Sequence, residues 1–554
     1  SSSPNPSIET LLHAYLPFKY VDHTHSNAIL SLVNLDNSKE ILNKIYKDKI
    51  AIVPYVMPGF ELAKLCHMVI SKNHKVEGLM LLNHGIFTFG SSAKQSYDRM
   101  IKLVTLAENF LNKQKKLIKY NINNKKINIT DVQLCIRNLY HLFTNKKWII
   151  KFNSKVEDVK FTNRKDLFNL FNKGPVTPDH VIRIKSEPLI IPNKHLSSSK
   201  KLSNYIDAYI KKYKNYFKKY KKNIVNSKIA DPLPRIIILE GIGFLSIGLN
   251  KKEMQVSYDI FDAMKKVIIK ANLVSKFKSI NNTDIFKMEY WPLERAKLNN
   301  QNTKKFNGNV AVITGGAGKI GSAIANKFIN ENIEVILLDK NFKNLDINIK
   351  KKCLCIECDL TNNSQINKAL NKILKLFGGI DILIANSGAA FQGSMLNVKK
   401  DILEKSLEVN FYSHHNIVQK IANIMVSQGF GGSISLNLSK QSINPGKDFG
   451  PYGIAKASSL FSMKQYALEF GKYNIRVNGI NADRIKSGLL TDQFIKERAK
   501  ARNMSSTEYL NNNLLQKQVT AEDVAEAFFA QLSFEKTTGN IITVDGGNIE
   551  ASLR

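Results

Sequence analysis

One segment of this chain, NVAVITGGAGKIGSAIANKF at 309–328, constrains the fold more than any other. It passes from an apolar stretch through closely spaced glycines into an amphipathic stretch, which predicts a strand, a tight turn and a helix. A second apolar stretch, EVILLDK, ends in Asp339. Glycines at such a turn let a pyrophosphate approach the helix N-terminus, and an acidic residue about 20 positions later accepts hydrogen bonds from ribose hydroxyls. The segment therefore predicts a parallel βαβ unit that binds a dinucleotide.

Four polar residues further along the chain indicate acid/base chemistry. Tyr452 and Lys456 in PYGIAKASSL are four positions apart, which places them on one face of a helix. An ammonium group near a phenol stabilises the phenolate and so lowers the pKa of the tyrosine. A tyrosine and a lysine at this spacing are common by chance, but here Asn410 in SLEVNFYSHH and Ser439 in GGSISLNLSKQS accompany them. The set indicates a proton-transfer site beside the dinucleotide.

These motifs resemble the short-chain dehydrogenase/reductase family from about 305 to 552, including TTGNIITVDGG near the end. The resemblance implies NAD as the cofactor, Tyr452 as the general acid/base, and Ser439 as the residue that positions the carbonyl or alcohol. It also implies that Lys456 binds the nicotinamide ribose and that Asn410 holds a proton-relay water. The residues expected to contact the cofactor are Gly315, Gly318, Ile320, Gly321, Asp339, Asp359, Leu360, Asn386, Gly388, Tyr452 and Lys456.

The chain departs from that family pattern at three places. Lys319 stands where a glycine is usual, although the remaining glycines still fit the spacing Thr-Gly-x-x-Gly-x-x-Gly. The usual Asn-Asn-Ala-Gly reads Ala-Asn-Ser-Gly at 385–388, and the usual Pro-Gly is replaced by Asn-Ala-Asp-Arg at 481–484. The last change alters a loop beside the nicotinamide and the substrate, so the substrate rules of the family transfer poorly. Ser442 is an alternative to Ser439 for the serine role.

The first hundred residues carry a second, unrelated set of polar residues. His23 and His25 in KYVDHTHSNAIL lie at i and i+2, on one face of an extended strand, and His84 lies at a turn in LLNHGIFTFG. Three imidazoles can hold one ion and leave a position open for water or a substrate oxygen, which suits catalytic zinc. The His-x-His pair alone could equally be ordinary polar strand residues. Glu9, in the helix-like PSIETLLHAYLP, favours the metal site.

Residues 1–115 resemble the class II aldolase/adducin family in SIETLLHAYL, DHTHSNAI and LNHGIFTFG. The resemblance implies that His23, His25 and His84 bind zinc or another divalent metal and that Glu9 is the general acid/base. Members of that family normally carry an earlier glycine-rich loop that holds the substrate phosphate on backbone N–H groups. The sequence given begins at the catalytic helix, so we expect either a piece of a longer chain or the loss of the phosphate site.

The middle of the chain repeats part of the first region. LNHGIFTFGSSAKQSYDRMIKLV from Leu82 resembles GIGFLSIGLNKKEMQVSYDIFDAMKKV from Gly241, with Ile242 at the place of His84. Residues 116–300 are therefore predicted to be a second aldolase-like half without the metal site, or a connecting region without a catalytic motif. His180 in TPDHVIR is the one histidine of note there, and a single histidine is more often structural than a metal ligand.

We therefore predict an α/β fold with three regions. An aldolase-like α/β/α region comprises an N-terminally incomplete metal domain at 1–115 and the middle region at 116–300. A Rossmann domain with a doubly wound parallel sheet follows at 305–554, after a polar linker, NNQNTKKFNGN, at 299–309.

The pairing of these two domain types resembles the bifunctional rhamnulose-1-phosphate aldolase/lactaldehyde dehydrogenase family, with TPDHVIR, EYWPLE and NADRIKSGLL as further matches. The resemblance implies a step of L-rhamnose breakdown: cleavage of L-rhamnulose 1-phosphate to dihydroxyacetone phosphate and L-lactaldehyde, then NAD-dependent oxidoreduction of the lactaldehyde. Two alternatives stay open. One is a dehydrogenase whose aldolase-like part is an inactive scaffold, and the other is a basic, nucleic-acid-associated protein.

The net charge of +35 raises nucleic acid as a partner. Lysine is abundant throughout the chain, however, which indicates a composition bias rather than a binding patch. The densest run, KKYKNYFKKYKKNIVNSK at 211–228, is predicted to be a solvated helix face, with an anion or nucleic-acid surface as the alternative.

The expected partners are thus a sugar phosphate, an aldehyde and further copies of the chain in a homo-oligomer, without nucleic acid or membrane. No apolar run is long enough to span a bilayer. Of five cysteines, Cys353, Cys355 and Cys358 cluster in KKCLCIECDL, and we expect buried strand residues rather than metal ligands. This cysteine usage fits a reducing cytoplasm.

Overall fold

The computed structural model describes residues 9–121, 126–224, 228–296, 298, 304–488 and 490–548. The chain divides into two compact units. Unit 1 comprises Ser1–Ile127, Asn153–Gly248 and Lys252–Asn302, and unit 2 comprises Asn128–Phe152, Leu249–Lys251 and Thr303–Arg554. A short piece of the predicted middle region therefore belongs with the C-terminal unit, and this division differs from the predicted boundaries.

The strands are β1 (Tyr20–Thr24), β2 (Ile50–Val53), β3 (Gly78–Leu81), β4 (Gly85–Gly90), β5 (Ile149–Asn153), β6 (Leu189–Ile191), β7 (Ile236–Leu239), β8 (Gly243–Gly248), β9 (Val310–Thr314), β10 (Glu334–Asp339), β11 (Leu354–Glu357), β12 (Ile382–Ala385), β13 (Gly432–Asn437), β14 (Ile475–Ala482) and β15 (Ile541–Val544).

The α-helices before residue 300 are Thr10–Tyr15, Asn27–Val33, Ser38–Tyr46, Phe60–Lys72, Ala93–Asn112, Ile129–Thr144, Val156–Thr162, Leu167–Phe171, Val181–Ile184, Ser199–Tyr220, Lys251–Val274, Asn282–Glu289 and Pro292–Ala296. Those after it are Lys319–Asn330, Ile347–Lys352, Asn363–Phe377, Lys400–Leu407, Ser413–Gln428, Gly450–Phe470, Asp492–Lys500, Ser506–Asn511 and Ala521–Ser533.

The first sheet of unit 1 has the strand order β1-β4-β3-β2. β4 is antiparallel to both β1 and β3, whereas β2 is parallel to β3. Helix Ala93–Asn112 follows β4, and Ser92 caps it by accepting a hydrogen bond from the Gln95 backbone N–H. Its buried residues recur every three or four positions, as expected for a helix that covers one face of a sheet. This pairing brings the end of β1 next to the turn between β3 and β4.

The second sheet of unit 1 repeats this turn. β7 and β8 are antiparallel, and β6 is parallel to β7, as β2 is to β3. The Ile242 N–H donates to the Leu239 carbonyl as the His84 N–H donates to Leu81. The residue before each has a positive φ, +57° at Asn83 and +70° at Gly241. The internal repeat seen in the sequence thus corresponds to the same strand–turn–strand structure, with an apolar residue at the histidine position.

Unit 2 is built on a seven-stranded parallel sheet with the order β11-β10-β9-β12-β13-β14-β15. The order reverses between β9 and β12, so the carboxyl ends of these strands open a crevice there. The apolar runs that the sequence analysis assigned to strands are almost fully buried, because helices cover both faces of a parallel sheet. The predicted α/β class and the doubly wound sheet are confirmed.

Helix Ile129–Thr144 is attached to unit 2 by a buried ion pair. The Arg137 guanidinium donates to both oxygens of Asp381, at 3.1 and 2.7 Å, and to the Trp148 carbonyl at 2.7 Å. Both side chains are almost fully buried. Asp381 also accepts a hydrogen bond from the Val310 N–H at the start of the sheet, at 2.8 Å. This network links residues 128–152 to the seven-stranded sheet of unit 2.

Replacing Arg137 by methionine should destabilise unit 2 by about 3–5 kcal/mol, because one partner of a buried ion pair is left uncompensated. The two tryptophans allow a selective measurement, since Trp148 lies in unit 2 and Trp291 in unit 1. In a Trp291→Phe background, Trp148 fluorescence during urea unfolding reports on unit 2 alone. Adding Asp381→Asn should recover part of the loss, and an unchanged midpoint in Arg137→Met would show that the pair contributes little.

Three further predictions concern the lysine-rich run, the polar linker and membrane-spanning helices. Helix Ser199–Tyr220 buries Leu202, Ile206, Ile210 and Tyr213 and exposes its lysines, so residues 211–220 present a solvated helix face. Anion or nucleic-acid binding by this face stays the alternative, and residues 225–227 lie outside the described residues. Residues 299–303 of the predicted linker lie outside the described residues. Among the described residues, no helix is long and apolar enough to cross a membrane.

Candidate active sites

Unit 1 brings Glu9 and the three histidines together. The Nε2 atoms of His23 and His25 lie 3.0 Å apart. Oε1 of Glu9 lies 3.2 Å from Nε2 of His23 and 3.1 Å from Nε2 of His84. Each of the four residues offers one ligand atom, and these atoms all lie within 4.8 Å of one another. The sequence-predicted set therefore converges on one point.

The end of β1 and the turn before β4 fix the orientation of these rings. The Nδ1 of His23 is 2.9 Å from the Ile86 carbonyl oxygen, and this contact orients the ring so that Nε2 faces Glu9 and His25. The His23 ring also stacks on Phe87 at 3.9 Å. A Cβ at Gly85 would come within 2.6 Å of the Thr24 carbonyl oxygen, so the close approach of the two strands requires glycine there.

The electrostatics favour metal binding over protonation. Burial lowers the pKa of His25 to about 4, helped by the neighbouring histidines and opposed by Asp179. Hydrogen bonds from His23 and His84 hold the pKa of Glu9 far below its ordinary value in spite of its burial. Nδ1 of His84 is buried and has no partner among the described residues. Three imidazoles beside a carboxylate are a donor set that zinc takes, so the site fits a divalent ion.

Asp179 and His180 lie near this site, which the sequence analysis did not predict. Asn83 donates to the Asn34 side chain at 2.7 Å, and Asn34 donates to the Val176 carbonyl at 3.1 Å. These bonds hold the loop before Pro178–His180 against the turn that carries His84. His180 is half-buried, and desolvation lowers the pKa of its imidazole. The sequence signal for this loop was the Asp-His pair that follows Pro178. It was too weak to interpret, because a single histidine is more often structural than a metal ligand.

In unit 2, nine of the eleven predicted cofactor contacts line one cavity of about 800 Å³, whereas Tyr452 lines a second cavity and Lys456 lines neither. The cavity lies at the carboxyl ends of the strands, where the order of the parallel sheet reverses. The predicted contacts that line it are Gly315, Gly318, Ile320, Gly321, Asp339, Asp359, Leu360, Asn386 and Gly388.

The glycine turn between β9 and helix Lys319–Asn330 fits a dinucleotide. Gly315 has a φ of +63°, which favours glycine. A Cβ at Gly321 would lie 2.2 Å from the Gly315 carbonyl oxygen, so a side chain there would displace the turn. Lys319 is the first residue of the helix and leaves these contacts intact. The turn therefore keeps its shape despite the departure from the family pattern.

Asp339 ends β10 and faces the same cavity. Its carboxylate accepts hydrogen bonds from the backbone N–H groups of Ala317, at 2.9 Å, and Lys340, at 2.7 Å. The Lys340 ammonium lies 3.0 Å from a carboxylate oxygen of Asp359. Asp339 is thus held in place for a ribose, and the positive charge next to it is already paired.

Ser439, Tyr452 and Lys456 meet beside this cleft. Ser439 is hydrogen-bonded to the Tyr452 hydroxyl. The Lys456 ammonium donates to the Asn437 carbonyl at 2.9 Å and lies 5.8 Å from the Tyr452 ring centre. Burial raises the pKa of Tyr452 to about 12, and only the Ser439 hydrogen bond opposes it. The expected lowering of this pKa by Lys456 is therefore not found, and the ammonium is bound to the Asn437 carbonyl instead.

Burial also acts on the lysine, whose pKa it lowers to about 8. The predicted alternative, Ser442, donates from Oγ to the Ser439 carbonyl at 2.6 Å, so Ser439 is the serine that faces Tyr452. Asn410 lies in a π-helical turn, Glu408–Tyr412. Its side chain accepts a hydrogen bond from the Ala389 N–H at 3.1 Å and donates one to the Ala389 carbonyl at 2.9 Å. Its part in a proton relay stays a prediction.

Comparison with known proteins gives three domain matches. Residues 1–111 match the class II aldolase and adducin N-terminal domain, residues 128–298 match the second domain of class II aldolases, and residues 315–548 match the enoyl-(acyl carrier protein) reductase family. The uncharacterized oxidoreductase YuxG of Bacillus subtilis (strain 168) is 30% identical over 578 residues, covering 99% of this chain and 83% of that protein.

Two further similar proteins each cover less than half of this chain. Short-chain dehydrogenase reductase 3a of Arabidopsis thaliana is 27% identical over 44% of this chain and 96% of its own length. The crystal structure of NAD⁺-bound xylitol dehydrogenase is 22% identical over 44% of this chain and 100% of its own, with a TM-score of 0.42. The chain belongs to the family in which class II aldolase/adducin domains are fused to a C-terminal short-chain dehydrogenase/reductase domain. The match to YuxG covers both units of this chain.

Proposed function

We propose that this chain is a bifunctional enzyme that cleaves L-rhamnulose 1-phosphate and oxidises or reduces the L-lactaldehyde released, with NAD as the cofactor. The observation that carries the proposal is the presence of two complete sets of reactive groups in one chain. Glu9 and three histidines converge in unit 1, and Ser439, Tyr452 and Lys456 converge in unit 2. The aldehyde made by the first site would be a carbonyl substrate for the second.

In unit 1, a divalent ion bound by the three histidines would polarise the ketose carbonyl and its neighbouring hydroxyl. Glu9 is ionised and stands at the same point, so it can accept the proton of the hydroxyl on C4 as the C3–C4 bond breaks. That bond cleavage leaves the aldehyde on one fragment. The same carboxyl group can return the proton to the phosphorylated fragment, which completes the retro-aldol reaction.

In unit 2, the nicotinamide of NAD would accept or donate the hydride. Ser439 holds the substrate oxygen, and Tyr452 gives a proton to that oxygen in reduction or takes it in oxidation. Because the phenol has a pKa raised by burial, it is protonated at neutral pH and ready for reduction. Lys456 positions the ribose through an ammonium that is anchored on the Asn437 carbonyl.

The proposal is tested by assaying the purified chain for both activities with and without a chelator. We expect the chelator to stop the release of dihydroxyacetone phosphate from rhamnulose 1-phosphate and to leave NADH-linked turnover of lactaldehyde unchanged. Turnover of lactaldehyde without any aldol cleavage would support an inactive aldolase-like scaffold. Salt-sensitive retention on DNA together with absent NAD binding would support the nucleic-acid alternative.

NAD should be preferred over NADP by about tenfold or more in kcat/KM, since Asp339 repels a 2′-phosphate and bonds ribose hydroxyls. Asp339→Asn should reduce the preference for NAD over NADP. Glu357→Gln, at the end of the neighbouring strand β11, should leave that preference unchanged. Steady-state kinetics with both cofactors give the ratio. Comparable kcat/KM values in the unchanged chain would mean that Lys340 accepts the phosphate despite its pairing with Asp359.

We also propose that the chain works as a homo-oligomer in a reducing, cytoplasmic setting, without a nucleic-acid or membrane partner. The five cysteines are unpaired, in keeping with that setting. Light scattering after gel filtration would measure the oligomeric state.

A further inference from the structure

A second cavity, of about 740 Å³, lies on the substrate side of Tyr452 and Ser439. Its wall is unusually rich in cationic side chains and contains one carboxylate, Asp483. The cations that line it are Lys440, Lys447, Arg484, Arg498 and Arg502. Lactaldehyde is small and neutral, so it would use none of this charge.

Composition bias does not account for these residues. The chain has 81 lysines and arginines, of which only 11 are arginines, and three of those arginines line this one cavity. A lysine-rich composition predicts lysines at chance positions. Guanidinium groups are the side chains that bind phosphate and carboxylate groups through paired hydrogen bonds.

Arg498 is held in place and has no carboxylate partner among the described residues. It lies on helix Asp492–Lys500 and is half-buried. Its guanidinium lies 5.0 Å from the ring centre of Phe449 and 5.1 Å from that of Phe494. The Phe449 ring is itself 6.3 Å from the Tyr452 ring. Contacts with ring faces leave the N–H groups of the guanidinium available to bind an anion. The Phe449 ring lies between this guanidinium and the phenol of Tyr452.

Arg502 places a second guanidinium four positions further on. Its Nη1 donates to the Arg498 carbonyl oxygen at 3.4 Å, and its guanidinium stacks over Tyr509 at 5.5 Å. Arg502 is exposed and lies just past the end of the helix, and its positive charge and that of Arg498 repel each other. The repulsion is therefore a cost that a bound anion would remove.

The single carboxylate of the cavity is engaged elsewhere. Asp483 lies 3.6 Å from both the Lys440 ammonium and Nε of Arg484, and it also accepts a hydrogen bond from Asn548 at 2.6 Å. Arg484 donates in addition to backbone carbonyls, one of them that of Asn512 at 2.7 Å. The excess positive charge is therefore left on the helix side of the cavity, at Arg498 and Arg502.

We propose that the dehydrogenase site takes substrates that carry a phosphate or carboxylate group, bound by Arg498 and Arg502 while Ser439 and Tyr452 hold the reacting oxygen. The inference rests on the proposed hydride transfer at Tyr452. The phosphorylated ketone released by the proposed aldol cleavage carries a phosphate group. A 2-oxo or 2-hydroxy acid would carry a carboxylate group. The phosphate of NADP is not a source, because Asp339 and Lys340 line the other cavity.

The test compares matched carbonyl substrates in NADH oxidation by the full chain. Dihydroxyacetone phosphate is paired with dihydroxyacetone, and hydroxypyruvate with hydroxyacetone, so the two arms separate phosphate from carboxylate. We expect a kcat/KM higher by about tenfold to a hundredfold for the anionic member of at least one pair. Arg498→Met should remove that preference, mainly by raising the KM of the anionic member. Lys496→Met, on an exposed position of the same helix, is the matched control.

A binding measurement keeps the test independent of turnover. Dihydroxyacetone phosphate and hydroxypyruvate are titrated calorimetrically into the NADH-loaded Tyr452→Phe chain, with and without Arg498→Met. The difference between the two proteins isolates this cavity from the aldolase site. Weaker binding in the Arg498→Met protein supports the proposal, and equal binding overturns it. Loss of hydride transfer in Tyr452→Phe without any preference for anions would uphold the proposed function and reject the anion site.

Discussion

Tyr452→Phe is expected to abolish hydride transfer in unit 2 while the cofactor still binds. Phenylalanine keeps the buried ring and removes only the hydroxyl that Ser439 bonds. Proton transfer by a positioned side chain is worth about a hundred- to ten-thousand-fold in rate, so the loss should fall in that range. Lys456 keeps its hydrogen bond to the Asn437 carbonyl, and the ribose contact should therefore survive.

Tyr466→Phe is the matched control for this substitution. Tyr466 lies on the same helix, is also buried, and its hydroxyl is hydrogen-bonded to His415 at 2.6 Å, away from the cleft. NADH formation or consumption with lactaldehyde and with the substrates of the anion test gives the rates, and cofactor affinity is measured on each protein. Aldol cleavage should be unchanged in both. Near-normal turnover in Tyr452→Phe would remove the tyrosine from the mechanism and with it the reaction class of unit 2.

Much of unit 2 could be predicted because its signals are local. Each strand of a parallel sheet is a short apolar run, Ser439 follows the end of one such run, and Tyr452 and Lys456 are four positions apart on one helix. The glycines at 315–321 form the turn after the first strand of the sheet, and Asp339 ends the next strand. Their spacing in the sequence was therefore enough to place them in one cavity. The same reasoning applies to the internal repeat, in which Gly85 and Gly243 begin equivalent strands.

What the sequence could not provide depends on contacts between distant parts of the chain. Arg137 pairs with Asp381 across 244 positions, and no local pattern shows that helix Ile129–Thr144 packs with the second unit. The pKa of Tyr452 is set by burial, which only the folded chain defines. Arg498 lies on a helix that follows the altered 481–484 loop and belongs to no motif, so its position beside Tyr452 was invisible in the sequence.

The histidine cluster combines residues that local sequence patterns predict with a residue that only distant contacts bring near. His23 and His25 are predicted by strand periodicity, and His84 by its turn. Asp179 is different, because its loop reaches the cluster through Asn34 and Asn83. Its charge opposes the lowering of the His25 pKa, an influence that depends on how the two halves of unit 1 share one core.

Glu9→Gln should leave a divalent metal bound in unit 1 and remove aldol cleavage. Glutamine keeps the size and shape of the side chain, so the three histidines can still converge. It cannot accept a proton as a carboxylate does, and a loss of about a hundred- to ten-thousand-fold in the cleavage rate is expected. Glu61→Gln, in the first turn of helix Phe60–Lys72, is the matched control and should change neither property.

Elemental analysis separates the roles of carboxylate and imidazoles. The unchanged chain and Glu9→Gln should each hold about one zinc-like ion per subunit, whereas the double variant His23→Ala, His25→Ala should hold none. Because Oε1 of Glu9 lies 3.1 to 3.2 Å from two of the ligand nitrogens, it is close enough to bind the ion itself. Metal loss in Glu9→Gln would therefore make Glu9 a ligand instead of the acid/base. Equal metal in the double variant and the unchanged chain would reject the histidine site whether or not cleavage is observed.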